Sequence, residues 1–219
     1  MVQERAGERD FKGNRVIGAV ILAAGASSRM GQPKPGLPLG RGGHTVLSMG
    51  ASALLLAGVP RLVVVAGAYP DVLRHALRVR DRRVRVVDHP GWASGQLSSL
   101  LCGLDAIDHP QLEAVLMTLV DVPLVSPDTV RALMHAWRVS GAPIVRPARG
   151  DEHGHPVLFD RRLFAELRAA RLETGAKTVV HAHAHELLNL PVNDEGAFLD
   201  LDVPADYERA KRIADAPTS

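Results

Sequence analysis

Cysteine is nearly absent from this chain. Cys102 is the only one in 219 residues, so no disulfide can close within the chain, and a reducing compartment is the simple expectation. Aromatic residues are scarce at 4%, which leaves Ala, Val and Leu to fill a core. The 46% of residues that are apolar suffice for a sizeable one. Neither sign of charge dominates: 26 Lys and Arg face 24 Asp and Glu, for a formal net charge of +2. A general nucleic-acid binder would carry a strong basic patch, so no nucleic acid partner is expected. No apolar stretch reaches the ~18 residues of a membrane span, and the opening residues 1–14 are polar, without the apolar centre of a secretory signal. These absences point to a cytoplasmic protein that does not enter a membrane. There is no internal repeat and no linker long enough to divide two domains.

What is present is an alternation. The run Val16-Ile17-Gly18-Ala19-Val20-Ile21-Leu22 reads as a buried strand. Pro33, Pro35 and Pro38 then exclude a regular helix from the stretch Gly25 to Gly43. A buried helix is expected over Thr45 to Ala57. Strands follow at Leu62 to Ala66, Val84 to Val87 and Ala114 to Leu119, with helices at Asp71 to Val79 and Leu97 to Ile107. Ser126-Pro127-Asp128 carries the signals of a helix start: a capping hydroxyl, a first-turn proline and an acid at the positive end. Val130, Leu133, Met134 and Trp137 repeat at helical spacing, which gives that helix one core face. Beyond residue 140 the rhythm changes. Ile144-Val145 and Pro156 to Phe159 read as short strands around a polar loop, Arg146 to His155. A helix over Arg161 to Ala170, a strand near Leu187 to Val192 and a helix over Pro204 to Ala214 complete the chain. The pattern predicts an α/β fold, a doubly wound and mostly parallel sheet covered on both faces. It forms one domain over residues 15–215 behind a flexible tail, residues 1–14.

In such sheets ligands bind outside the carboxyl ends of the strands, and the sequence places unusual residues there. Small residues after the first strand, Ala23-Ala24-Gly25-Ala26, let backbone N–H groups approach a phosphate. Arg29 and Lys34 add cations suited to a triphosphate. An ordinary glycine turn with solvated charges is the alternative. Asp121, between a buried strand and Val122-Pro123, is placed to hold Mg²⁺ or merely to shape a turn. Asp202, before Val203-Pro204, suits a metal ligand or the start of the last helix. Ser98 and Ser99, at the opening of a helix, either read a base and ribose or satisfy helix N–H groups. Neither a dinucleotide-binding glycine triplet nor a P-loop follows the first strand, which argues against a Rossmann oxidoreductase.

Leu22-Ala23-Ala24-Gly25-Ala26-Ser27-Ser28-Arg29-Met30-Gly31, followed by Pro33-Lys34, resembles the LAAGxSxRMGxPK signature of the MobA-like NTP transferases, the nucleotidyltransferases related to molybdenum cofactor cytidylyl- and guanylyltransferases. Asp121-Val122-Pro123-Leu124 resembles the family's metal-binding DxPL segment. Asp200-Leu201-Asp202-Val203-Pro204 resembles its late acidic segment, with Val203 where threonine is usual. Gly91 to Leu100 resembles the loop that faces base and ribose, and Gly154-His155-Pro156-Val157-Leu158-Phe159 resembles a segment of the acceptor side. Glu173-Thr174-Gly175-Ala176-Lys177 departs from the family pattern, with Lys177 in place of arginine.

The resemblance implies a GT-A-like nucleotidyltransferase with a nucleotide half over about 15–140 and an acceptor half over about 141–215. It assigns Leu22, Ala23, Ala24, Gly25, Arg29, Lys34, Gly95, Ser98 and Ser99 to the nucleotide, and Gly154, His155, Pro156 and Gly175 to the acceptor. Asp121 and Asp202 would hold Mg²⁺, and Arg29, Lys34 and Asp121 would be catalytic. Guanylyl members tend to read LAGG, so Ala24 resembles the cytidylyl branch. That implies CTP as donor and molybdopterin as acceptor, with a transient contact to a molybdoenzyme or its chaperone. Acceptors among related proteins include sugar phosphates, methylerythritol phosphate and phospholactate. A non-catalytic carrier of the cofactor is the reading from another class.

Three further features carry structural expectations. Cys102 sits among apolar residues of a predicted helix and reads as an inert core thiol. The basic run Arg78 to Arg85 reads as a solvated surface at a helix end. His181, His183 and His185 alternate as if along one face of a strand, and an exposed edge is expected rather than a metal site.

Overall fold

The computed structural model describes residues 16–27 and 30–216; the predicted tail, residues 1–14, together with Ser28 and Arg29, lies outside the described residues. One eight-stranded sheet forms the centre, in the order β3-β2-β1-β4-β7-β5-β6 with β8 alongside β5. Here β1 is Val16–Ala23, β2 Leu62–Ala66, β3 Val84–Asp88, β4 Leu112–Leu119, β5 Ile144–Arg149, β6 Glu152–His153, β7 Val157–Asp160 and β8 Leu188–Pro191. Strands β3, β2, β1 and β4 are parallel. β7 runs antiparallel between β4 and β5, which returns β5 to the common direction, and β8 pairs with it in parallel. The mostly parallel sheet therefore holds, with an antiparallel element at its later end.

Period-two alternation sends neighbouring side chains to opposite faces. Ile17, Ala19, Ile21 and Ala23 meet the helices α1 (Val46–Leu56), α2 (Pro70–Ala76) and α4 (Pro127–Ser140). Val20 and Leu22 meet α3 (Gln96–Ile107) and α5 (Phe164–Ala169) on the other face. Gly103 is what lets α3 lie flat on β1: a Cβ there would come within 2.4 Å of Val20 Cγ1. A third apolar cluster joins Met30, Leu37, Leu39 and Val46 to Leu199, Leu201 and Ala210 of the chain's end, near and on α7 (Pro204–Asp215). The loop after β1 is thus fastened to a segment more than 150 residues later, and the site depends on that long-range closure.

The predicted start of α4 is as expected. Ser126 Oγ accepts from Thr129 N at 3.1 Å, Pro127 opens the helix, and Val130, Leu133, Met134 and Trp137 are its buried face. Trp137 Nε1 donates to Asp160 Oδ2 at 2.9 Å, which ties α4 to the end of β7. Cys102 lies on α3, partly buried, and burial pushes its thiol up, as expected of an inert thiol.

Other expectations require correction. Helix α2 stops at Ala76 rather than Val79, because Thr45 Oγ1 at the start of α1 takes the Ala76 carbonyl at 2.7 Å. The polar loop Arg146 to His155 is mostly strand: β5 continues to Arg149 and β6 folds back on it. At this side of the sheet one strand face is open, so polar side chains do not stop the pairing. The three histidines do not share a strand. His181 lies on the short helix α6 (Lys177–Ala182), and His183 bonds Glu166 at 2.7 Å. The helix follows Gly175, whose φ of +69° turns the chain, and Val179 is its buried anchor. The basic run is solvated only in part, since Arg83 pairs with Asp81 and donates Nη1 to Leu55 O at 3.2 Å near the end of α1.

Candidate active site

The carboxyl ends of β1 and β4 lie side by side, and their exits are locked together. Val120 N donates to Leu22 O at 3.0 Å, and Ala68 N, beyond β2, donates to Ala24 O at 2.9 Å. Gly67 permits this crossing, because a Cβ there would sit 2.4 Å from the Ala24 carbonyl oxygen. In front of these strand ends is a cavity of about 360 Å³. Leu22, Ala24 and Gly25 form one wall, Gly95 and Ser99 the facing wall at the start of α3, and Lys34 and Asp121 the end. Residues distant in the chain, assigned together from the sequence, therefore do meet.

Lys34 occupies a tight helical turn that Pro33 and Pro35 favour, and its residue is almost wholly buried. Its backbone N–H donates to Ser27 Oγ at 3.2 Å, and its ammonium lies 3.2 Å from Asp121 Oδ2 and 3.3 Å from Asp202 Oδ1. The two acids are brought together by the backbone: Leu201 N donates to Asp121 O at 2.8 Å. Asp202 does not cap the last helix. That task falls to Asp206, whose Oδ2 accepts from Asp202 N at 3.1 Å and Val203 N at 2.9 Å. The Asp202 carboxylate is thereby left to face Lys34.

The electrostatic balance of the cluster favours a further cation. Three carboxylates, Asp121, Asp200 and Asp202, surround one lysine. Partial burial and then the charges of Asp121 and Asp202 push the Asp200 carboxyl up to about 6, although much of that residue is open to solvent. Asp121 Oδ1 is buried and makes no hydrogen bond in the described structure. A buried carboxylate oxygen without a partner is costly, and hard oxygen donors suit a divalent cation. The residues present therefore fit a metal, even though the described residues contain no group of three or more His, Cys, Asp or Glu arranged around one point.

Several assigned residues lie elsewhere. Ala23 turns to the opposite sheet face, toward α1 and α4. Ser98 is directed away from the cavity, with its Oγ donating to Gly95 O at 2.7 Å and 3.0 Å from His89 Nε2. It neither lines the cavity nor caps an N–H group. Arg29 lies outside the described residues. Gly154 and Pro156 are buried beside the returning segment: His155 N donates to Ala197 O at 2.9 Å, and a Cβ on Gly154 would come within 2.3 Å of that same oxygen. The peptide His155-Pro156 is cis. Burial pushes the His155 imidazole down, against the opposing charge of Asp121 and a bond to the Met117 carbonyl. His155 thus stands within electrostatic reach of Asp121. Gly175 is in the turn before α6, and the adjacent Leu172 carbonyl faces Gly95.

Sequence reasoning missed two contributors. Ser27 lines the cavity and holds the Lys34 backbone, and its φ of +52° marks a tight turn. Asp200 completes the acidic cluster. Both stand inside the motifs that were read, but neither announces its role without the folded loop. Trp92 and Gln96 also line the facing wall.

A mostly parallel sheet with a cavity and an acid-lysine cluster at its carboxyl edge defines a nucleotide-using α/β protein. The chain matches the MobA-like NTP transferase domain over residues 19–187 and belongs to that family of nucleotidyltransferases. The molybdenum cofactor cytidylyltransferase of Escherichia coli is 26% identical over 89% of this chain and 95% of its own length. A probable molybdenum cofactor guanylyltransferase of Mycobacterium avium is 30% identical over 76% of this chain and 79% of its own. Among solved structures, Rv0371c of Mycobacterium tuberculosis is 30% identical with a TM-score of 0.76, covering 90% of this chain and 97% of that one. A structure of Rv0371c in complex with manganese has a TM-score of 0.72 at 30% identity, over 90% and 98% of the two chains. No helix among the described residues is long and apolar enough to cross a membrane.

Proposed function

We propose that this nucleotidyltransferase transfers CMP from CTP to molybdopterin with release of pyrophosphate. The observation that carries the reading is the Lys34, Asp121 and Asp202 cluster at the end of the cavity, where an ammonium and two carboxylates converge from three distant segments. CTP is supported by Ala24 at the position where guanylyl members tend to carry glycine, and by the likeness to a cytidylyltransferase along nearly the whole chain.

The acceptor phosphate is the nucleophile. Its oxygen forms a bond to the α-phosphorus of CTP as the bond from that phosphorus to the bridging oxygen breaks, and the electron pair leaves with pyrophosphate. A phosphate is ionised near pH 7, so no side chain must remove its proton, and the work is positioning and charge neutralisation. Backbone groups at Ala24 and Gly25 line the path of the phosphates. Lys34, shared between the Asp121 and Asp202 carboxylates, supplies positive charge to the leaving pyrophosphate, and Arg29 is assigned the same task. Ser99 and Gly95 take the base and ribose side. Asp121 and Asp202 would hold Mg²⁺, which when bound offsets charge on the phosphates. His155 borders the acceptor's approach from β7, and Gly154 and Pro156, buried on either side of it, hold it in place. A carrier would have little need of this charge cluster.

The test is pyrophosphate release from CTP, GTP, ATP and UTP in Mg²⁺, each with and without molybdopterin. Release from CTP alone, and only with molybdopterin, is expected. Release from GTP instead would reassign the base. Release with methylerythritol phosphate or a sugar phosphate, and none with molybdopterin, would reassign the acceptor.

A further inference from the structure

A second cavity, of about 500 Å³, opens on the same face of the sheet as the first. It lies between β5, β6, β8 and α6, and Arg146, His153, His181 and Asn189 line it. The shared face follows from alternation. Ile144, Val157 and Phe159 belong to the core beneath α3 and α5, while Val145 belongs to the opposite core. Arg146 therefore projects to the α3 side.

Arg146 is unusual among its neighbours. Arg149, Arg161, Arg162, Arg168, Arg171 and Arg209 each pair with an acid. Arg146 has no carboxylate partner among the described residues. It is half-buried, and its Nε donates to Asn189 Oδ1 at 2.8 Å. That bond fixes the guanidinium plane, and neither Nη nitrogen has a hydrogen-bond partner among the described residues. Fixing a planar fork of donors beforehand reduces the ordering cost of binding. Burial without a counter-charge lowers the arginine's proton affinity, yet a guanidinium remains charged at any ordinary pH. His153 is held down by burial and by the Arg146 charge, with exposed Asp151 opposing. The two imidazoles therefore offer flat rings beside a fixed cation, and that of His153 disfavours a second charge there.

A free guanidinium edge recognises two acceptors held side by side, as when arginine reads the oxygen and ring nitrogen of guanine. Position sets the length of the ligand. Val145 pairs with Leu158, and Leu158 pairs with Leu116 of β4, so Arg146 stands two strand spacings from β4, about 10 Å. β4 leads to Asp121. Arg146 is also level with Met117, four residues before Asp121, so a ligand with its phosphate at Asp121 would need to span roughly 15 Å to reach the cavity.

We propose that Arg146, fixed by Asn189 and flanked by His153 and His181, anchors the far end of the acceptor by a planar heterocycle that presents a carbonyl oxygen and a ring nitrogen on one edge. This rests on molybdopterin as the acceptor, and it gives this chain's own residues the task of holding the pterin end while the phosphate end reacts.

The experiment uses the full chain with no triphosphate, so it does not depend on turnover. Free pterin is titrated while the imidazole signals of His153 and His181, identified by their loss in H153Q and H181Q, are followed by NMR. Pterin is expected to shift both signals in the wild type, and R146Q should weaken that binding at least tenfold. R146K, a single point charge, should not restore it. Inorganic phosphate should neither mimic nor displace the pterin. The absence of a pterin shift, or an equal shift in R146Q, would overturn the anchor. A response to phosphate alone, retained in R146K, would also overturn it and leave a free-anion site. Pterin binding without any transfer to molybdopterin would fail the proposed reaction and not the anchor. Transfer without a pterin response would fail the anchor alone.

Discussion

The segment up to Ser140 and the segment after it solve the same problem in different ways. The first is built from parallel strands whose ends present ligand-facing loops in register. The second threads β5, β6, β7 and β8 around an antiparallel insertion and closes the site with contacts between distant residues. Asp202 reaches Lys34 across 168 positions. The acceptor-side glycines work by close backbone approach: Gly154 against Ala197, and Gly196 against Leu124, where a Cβ would lie 2.0 Å from the carbonyl oxygen. One region positions chemistry by strand ends, the other by crowding.

The two regions share a joint, and breaking it should give the largest effect on stability. Trp137 is fully buried on α4 and bonds Asp160 of β7. Trp137→Ala should cost about 3–5 kcal/mol, read by urea denaturation. A loss below about 1 kcal/mol would show that the halves are not coupled through this residue.

Lys34→Met tests the charge cluster of the strand-end region. It should lower kcat by about 10²–10³-fold. In metal-free protein it should also cost about 1–3 kcal/mol, because it takes away the cation that Asp121 and Asp202 face. Turnover within a factor of about three of wild type would remove Lys34 from the reaction.

Crowding is tested by Gly154→Ala. The added methyl must displace the Ala197 carbonyl, for a loss of about 1–3 kcal/mol. A strain confined to the acceptor side should raise the acceptor's KM and leave that of the triphosphate unchanged. A rise in both would erase the distinction between the regions.

The smallest effect belongs to Asp200. Its folded-state value of about 6 lies above the ordinary 3.8. The fold therefore favours the protonated acid, and stability falls as pH rises through that window. In metal-free protein at pH 7, Asp200→Asn should gain about 1 kcal/mol once solvent screening is allowed for, with no gain at pH 3. Melting curves at the two pH values decide it.

The same contrast explains how much was legible in the sequence. The parallel core was readable because continuous apolar runs such as Val16 to Leu22 and Leu62 to Ala66 admit only buried strands. Lys34, Asp121 and Gly25 were readable because strand-end loops are local. What escaped depends on distance along the chain. Ala23 and Ala24 are adjacent, and only the pleat shows that one faces the cavity and the other the opposite core. Ser98 looked like a ligand group until its partners, Gly95 O and His89, were in place. The histidines at 181, 183 and 185 alternate like a strand, but period two over three residues cannot outweigh the turn at Gly175 and the burial of Val179. Arg146 read as part of a loop because it ends an apolar run, and a cavity covers its face of the strand.

The most direct test of the central claim is pyrophosphate release by Asp121→Asn beside the wild type, in Mg²⁺ with CTP and molybdopterin, with a melting curve for each. Asp121→Asn keeps the shape of a side chain that meets Lys34 on one oxygen and leaves the other unbonded. The account predicts a loss of about 10³-fold or more in kcat with melting close to wild type. Near-normal release from folded Asp121→Asn would contradict it and place the reaction centre elsewhere.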